Sequence, residues 1–285
     1  MSYSICNVLA EAGYDSISRW LPFEIDKEDL TNRISNKMIR PTTIPQTLEE
    51  LIVEQALARE ALSLSFEQHK QFAVSLKGVQ QKRTISDAFE QSSSGKTLVK
   101  MEELDLIVGS GGVLSHAPRR SQSFMMMVDA FKPLGITGIA VDSIFMMPQL
   151  GVLSSIHPEA ALEVFNKDCL IRLGTSINPI LKGRVADGSL FDYSFKSKNK
   201  NYKGSLEAGR IEFLPMPYEP FDAILEPSAN VDLGNGFGQM VETQVFGGEV
   251  GLMLDGRQNS SNGKIVIENK DILSDWYKKM KVYNL

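Results

Sequence analysis

Leu104-Asp105-Leu106-Ile107-Val108 runs directly into Gly109-Ser110-Gly111-Gly112, and that junction decides the fold class. A short apolar run of leucine and β-branched residues is the signal of a buried strand. Glycines immediately after it supply a turn whose backbone can take conformations closed to other residues. Beyond the turn, Arg119 to Phe131 reads as a helix and Gly138 to Val141 as a second strand. Pro148 to Ser155 and Pro158 to Phe165 read as short helices with proline in the first turn. Leu170 to Leu173 reads as a third strand. Alternation of this kind predicts an α/β fold.

Upstream the chain reads as helical. Ser2 to Ala12 is a weak apolar helix ended by Gly13. Asp26 to Met38 is a second helix with Asp26 as its N-cap, broken by Pro41 and Pro45. The clearest helix starts at Thr47, where a hydroxyl followed three residues later by Glu50 has the form of a capping box. Leu48, Leu51, Ile52, Leu57, Ala61, Leu62, Leu64 and Phe66 then recur at helical steps, out to about Leu76, with Gly78 as the stop. Val79 to Thr97 is polar and reads as a connector.

Downstream, Asp187 to Gly204 is polar, and Lys196, Lys198, Lys200 and Lys203 read as a solvated loop. From Arg210 short strand-like runs alternate with glycine, proline and asparagine turns: Arg210–Leu214, Phe221–Glu226, Met240–Val245, Val250–Leu254 and Ile265–Ile267. A helix from Asp271 to Met280 closes the chain. Three parts are expected: a helical subdomain with connector over 1–100, an α/β part over 101–185, and a small β domain with closing helix over 186–285.

Composition narrows the function classes. The 285 residues are 42% hydrophobic and 23% charged, as in folded proteins, and the net charge is −5. No cationic excess points to nucleic acid or an anionic membrane. No run approaches the ~20 apolar residues that span a bilayer. Two distant cysteines, Cys6 and Cys169, suggest reduced thiols and a cytoplasmic location rather than a disulfide framework or a zinc site.

The glycine turn has two readings. One is a tight strand-to-helix turn. In the other, backbone approaches a ligand and N–H groups face an anion. It is not a P-loop, because no Gly-Lys-Ser/Thr ending follows, and it lacks the Rossmann spacing. Wider context favours the ligand reading. Val-Gly-Ser-Gly-Gly-Val-Leu-Ser-His-Ala-Pro-Arg-Arg, Val108 to Arg120, resembles the adenosine motif of the actin/sugar-kinase/DnaK superfamily. A narrower resemblance lies in Asn32 to Thr47, Val141 to Val152, His157 to Ala161, Asn230 to Gly238 and Val250 to Arg257. These blocks look like the MutL/GlmL family of glutamate mutase accessory proteins.

The resemblance implies the C-terminal half of an actin-like, ribonuclease-H-like ATPase. It implies an accessory protein that uses ATP or ADP in chaperone-like reactivation of an adenosylcobalamin-dependent mutase, glutamate mutase or a related aminomutase. Nucleotide contact is expected at Gly109, Ser110, Gly111, Gly112, Ser115 and Arg119. The superfamily's two phosphate-binding loops are not found in the sequence, so Mg²⁺ is expected only together with an N-terminal part that carries them. Phosphoryl transfer depends on that positioning. A second expectation is therefore a partial, non-hydrolysing partner-binding module.

Other residues carry paired readings. Arg33, Lys37 and Arg40 recur at helical spacing, as partners for nucleotide phosphate or mutase, or as a solvated face. Arg59 and Glu60 lie on the long helix, where the superfamily places polar groups beside the ribose. His116 is a ligand contact or a surface residue, and His69 and His157 lie too far off in sequence to suggest a metal cluster. Asp142 and Ser143 approach a cleft or cap the next helix. Met125 to Met127, Met146 and Met147 form a binding surface or, as preferred, core. Asp232 to Gly238 reads as a β-turn rather than a phosphate or calcium loop.

Overall fold

The computed structural model describes residues 5–73, 98–183, 185, 188–257 and 264–284. The expected connector and the expected end of the long helix near Leu76 lie outside the described residues. The chain opens with helices α1 (Ile5–Ala12), α2 (Tyr14–Ser18), α3 (Lys27–Ile39) and α4 (Leu48–Phe72). Both expected caps form. The Asp26 carboxylate accepts from the Asp29 N–H at 2.7 Å, and Thr47 and Glu50 close a full capping box on α4. Ile52, Val53, Ala56, Arg59 and Glu60, spaced along one side of α4, are buried.

Next come β1 (Leu106–Gly109), α5 (Gly112–Ser115), α6 (Arg120–Phe131), β2 (Gly135–Asp142), α7 (Met147–Ser154), α8 (Pro158–Val164) and β3 (Leu170–Asn178). The remainder is β4 (Ile180–Leu181), β5 (Ser189–Lys196), β6 (Asn201–Glu207), β7 (Ile211–Leu214), β8 (Pro220–Pro227), β9 (Val231–Asp232), β10 (Val241–Phe246), β11 (Gly251–Asp255) and α9 (Lys270–Lys279).

One mixed sheet has the order β1-β2-β3-β11-β7, with β1 parallel to β2 and β3 parallel to β11. The apolar run expected to be a buried strand is the edge of this sheet. With a neighbour on one side only, Leu106 stays 49% exposed. At Leu173 the β2–β3 register slips, because Ile139 pairs with Gly174 and Ala140 with Arg172. That bulge sends Leu173 to one face of the sheet and Ile177 to the other.

The strands after 186 divide among three sheets, the smallest being the β4–β9 pair. β7 and β11 join the mixed sheet, while β10-β8-β5-β6 make a separate antiparallel sheet. The stretch expected as a solvated loop is the β5–β6 hairpin. Phe191, Tyr193 and Phe195 are buried and alternate with Asp192, Ser194 and Lys196, a strand period that the lysine content obscures. Lys198 and Lys200 sit at its turn, and Lys203 is exposed on β6.

Two cores flank the mixed sheet. On one face Met253, Ile139 and Val141 meet the helices, including the fully buried Met125, Met126 and Met127 of α6. On the other face Leu252, Leu254 and Ile177 meet Phe191, Phe195 and Phe221 of the antiparallel sheet. α6 is thus held between α4 and strands β2 and β3.

Candidate functional site around the glycine turn

Because β1 and β2 are parallel, with Gly109 opposite Val141, whatever follows each strand emerges at the same end of the sheet. Crevices beyond the carboxyl ends of parallel strands are where α/β proteins bind ligands. The glycine turn follows β1, and the two short helices α7 and α8 follow β2.

The glycines have different tasks. A Cβ on Gly109 would lie 2.5 Å from the Met127 sulfur and 2.9 Å from Leu114, so this glycine serves close packing. Gly111 has φ +113, a conformation that disfavours side chains. Gly112 is exposed, and nothing lies within 4 Å of an added Cβ there. Ser110 is exposed beside it. The turn therefore presents bare backbone to the outside.

α5 leads into a cleft of about 760 Å³ that begins at Ser115. Arg119, Arg120 and Lys281 bring positive charge to its lining, Glu249 brings one negative charge, and Phe213, Val250 and Met280 form apolar walls. The cleft also lies at the start of α6, where the helix dipole favours an anion.

Each expected site residue has a definite place. Ser115 is buried, and its Oγ donates to the Asp142 carbonyl at 2.6 Å, so it braces the turn. Arg119 donates to the Lys281 carbonyl and to Asn284 Oδ1, which fastens the C-terminal residues over α6. Arg120 donates to the Ser115 carbonyl at 2.7 Å and lies 3.8 Å from Glu249. Arg33 and Lys37 lie elsewhere. They line a separate cleft of about 620 Å³ between α3 and α4, which shares no lining residue with the first. Arg33 is paired with Asp29 and Glu49, and Lys37 with Glu54. The Asp29 hydrogen bond foremost holds the Arg33 guanidinium above its usual range, against the effect of its partial burial.

Asp142 is fully buried. Its carboxylate accepts from the N–H groups of Ile144, Met146 and Met147 at 3.3, 3.3 and 3.1 Å. It is the cap of the following turn, and Ser143 ties the same segment to the Cys169 carbonyl. His116 is exposed and meets the Phe145 ring edge-on at 5.3 Å. Arg59 and Glu60 are buried in the core: Arg59 pairs with Asp129, and Glu60 accepts from Trp20 Nε1 at 2.8 Å and from Arg19. Asp232 accepts from the N–H groups of Gly234 and Gly236, as expected of a turn. Among the described residues no three His, Cys, Asp or Glu side chains cluster as metal ligands would.

Sequence reading missed Lys281, Glu249 and Phe213 as companions of the turn. They come from distant segments, and no local spacing links them to Arg119. Of the cleft's lining, the sequence singled out Ser115, His116 and Arg119.

A family model described as MutL protein matches residues 1–169, more than half of the chain. The chain belongs to the MutL family. That match covers α1 to α8, the glycine turn, and the blocks at Asn32–Thr47, Val141–Val152 and His157–Ala161. The blocks at Asn230–Gly238 and Val250–Arg257 lie beyond it. MutL membership supports the glutamate mutase accessory assignment, and with it an accessory role beside a glutamate-mutase-type enzyme. No curated protein and no solved structure matches the sequence. No helix among the described residues is long and apolar enough to cross a membrane.

Proposed function

We propose that this MutL-family chain is a nucleotide-binding, chaperone-like accessory protein that helps reactivate an adenosylcobalamin-dependent mutase. The family supplies the accessory role. The observation that carries nucleotide binding is the open turn at Gly111 and Gly112, continuous through α5 with a cationic cleft. A flat purine nucleoside would lie against the bare turn. Its phosphates would extend toward Arg119, Arg120, Lys281 and the start of α6. The fold reading that accompanies this is half of an actin-like ATPase, supported by the strand, glycine turn, helix and parallel strand of β1 to β2.

A second reading, a module that binds its partner without hydrolysing nucleotide, is favoured by one feature. Asp142, the acid that ends the strand beside the turn, spends its carboxylate on three backbone N–H groups. It is not placed to hold Mg²⁺ or to orient water.

Calorimetry with ADP tests the first reading. Heat of binding is expected for the unaltered chain and should vanish in Gly112→Trp, which fills open space and leaves the core alone. No binding, or equal binding by both proteins, removes the turn from the site. Steady phosphate release from Mg-ATP by the purified chain would exclude the second reading.

A further inference from the structure

The helices α7 and α8 form a hairpin that packs mainly against itself and the wide turn after it. It carries an unusual share of exposed apolar side chains. Val152 and Ile156 are each 72% exposed and Leu162 61%, with Ile144, Leu153 and Val164 also exposed. Scattered single apolar residues on a surface need no explanation, but a concentration on one small element marks an interaction surface.

The neck of the hairpin is fixed. Asp142 gathers the N–H groups of Ile144, Met146 and Met147 where the chain leaves β2. Phe145 between them holds φ at +59. Where the chain returns, Ser143 donates from both its N–H and its Oγ to the Cys169 carbonyl at 2.9 Å. Leu150, Ala161 and Cys169 are buried beneath. An apolar ridge on a fixed neck loses little freedom when it binds.

Charge selects the partner. Glu159 and Glu163 flank Leu162 in sequence, and neither makes an ion pair among the described residues. Two copies meeting with α8 at a two-fold axis would bring these carboxylates against each other. A partner with an apolar groove and a basic rim complements both features.

We infer that the α7–α8 hairpin is the ridge that docks into the mutase of the accessory role, in an apolar groove bordered by lysine or arginine on that enzyme. This rests on the accessory reading above. The hairpin adjoins the glycine turn through the Ser115–Asp142 hydrogen bond and the His116–Phe145 contact, so docking takes place beside the proposed nucleotide site.

The test is surface plasmon resonance of the full chain on immobilised, purified adenosylcobalamin-dependent glutamate mutase, with sedimentation velocity of the chain alone. Val152→Asp/Ile156→Asp is expected to weaken the complex about 100-fold while keeping the melting temperature, since both residues are solvent-facing. Glu159→Lys/Glu163→Lys is expected to slow association and to flatten its dependence on salt. An unweakened complex in the aspartate double variant overturns the hairpin assignment and leaves the accessory reading standing. No complex with the unaltered chain overturns both. A chain that sediments as a dimer, and as a monomer only in the aspartate variant, makes a second copy the occupant and overturns the proposal.

Discussion

Arg59 of α4 donates from Nε to the Asp129 carboxylate of α6 at 2.7 Å, with neither side chain more than 1% exposed. The other Asp129 oxygen accepts from Arg257 at 2.8 Å, and Arg257 also clamps Asp255 at the end of β11. Two buried arginines and two buried aspartates therefore join the first helical part, the central helix and the last strand. Burial alone would depress the Arg59 guanidinium, but the Asp129 carboxylate bonded to it holds it charged. For Arg257 burial is likewise opposed and overcome by Asp255 and Asp129. The terminal nitrogens of Arg59 find no hydrogen-bond acceptor among the described residues and lie over the rings of Trp20 and Tyr277 instead. This cluster anchors α6 near its C-terminal end, while its N-terminal end forms part of the cationic cleft.

Asp129 serves two cations, and its loss strands Arg59 outright while Arg257 keeps Asp255. Asp129→Asn is expected to cost about 3–5 kcal/mol, because breaking a buried pair leaves uncompensated charge. Arg59→Met should cost less, since Arg257 still satisfies Asp129 and an apolar side chain refills the volume. Chemical denaturation of the two variants gives the order. A larger loss in Arg59→Met would contradict the assignment of Asp129 as the hub.

Gly174 of β3 sits opposite Gly251 of β11, with φ +149 and φ +132. A Cβ on Gly174 would lie 1.6 Å from the Gly251 carbonyl oxygen, a clash with backbone that no rotamer relieves. Strain at such φ together with overpacking places Gly174→Ala at about 3 kcal/mol or more of lost stability. Gly112→Ala meets nothing within 4 Å and should leave the melting temperature nearly unchanged. Thermal unfolding of the pair checks whether close crossing of β3 and β11 is what admits the last strand to the mixed sheet.

Local signals in the sequence decide structure where the physics is local. Asp26 and the Thr47–Glu50 box cap their helices because a cap needs only three neighbouring residues. Met125 to Met127 fell in the core, as their apolar character requires. What failed to show was pairing between distant segments. Nothing near Gly251 says that β11 lies beside β3, since the partner is more than 70 residues away. The β5–β6 hairpin was hidden because lysines at its turn dominated a window whose aromatic alternation is strict. At the site the turn itself was legible, whereas Lys281 and Glu249 reach the cleft only through the path of the C-terminal half.

Glu50 makes the α4 capping box sensitive to acid. Backbone N–H groups of Gln46 and Thr47 draw its carboxyl below the ordinary value of 4.5. A folded value lowered in this way gives stability that is complete above 4.5 and fades as pH falls through the folded value. Glu50→Gln should therefore be less stable than the unaltered chain at neutral pH, with the difference shrinking below pH 4.5. Melting curves over a pH series check this. A difference that widens in acid would have the wrong sign.

Asp142 controls the order of the hairpin without being the floor of a catalytic site. Removing its carboxylate leaves three N–H groups, those of Ile144, Met146 and Met147, with no other acceptor among the described residues. Unmatched buried donors cost about 1–3 kcal/mol, and these are only part-buried, so Asp142→Ala should loosen the neck by at most that much. Ser115 bonds the carbonyl of the same residue, not its side chain, so Ser115→Ala should loosen α5 and spare α7. Hydrogen exchange distinguishes the two. Asp142→Ala is expected to speed exchange through residues 144–154 with little change in α4, while Ser115→Ala speeds it only around 112–116. If both variants loosen the same residues equally, the turn and the hairpin open as one unit and the neck is not an independent clamp.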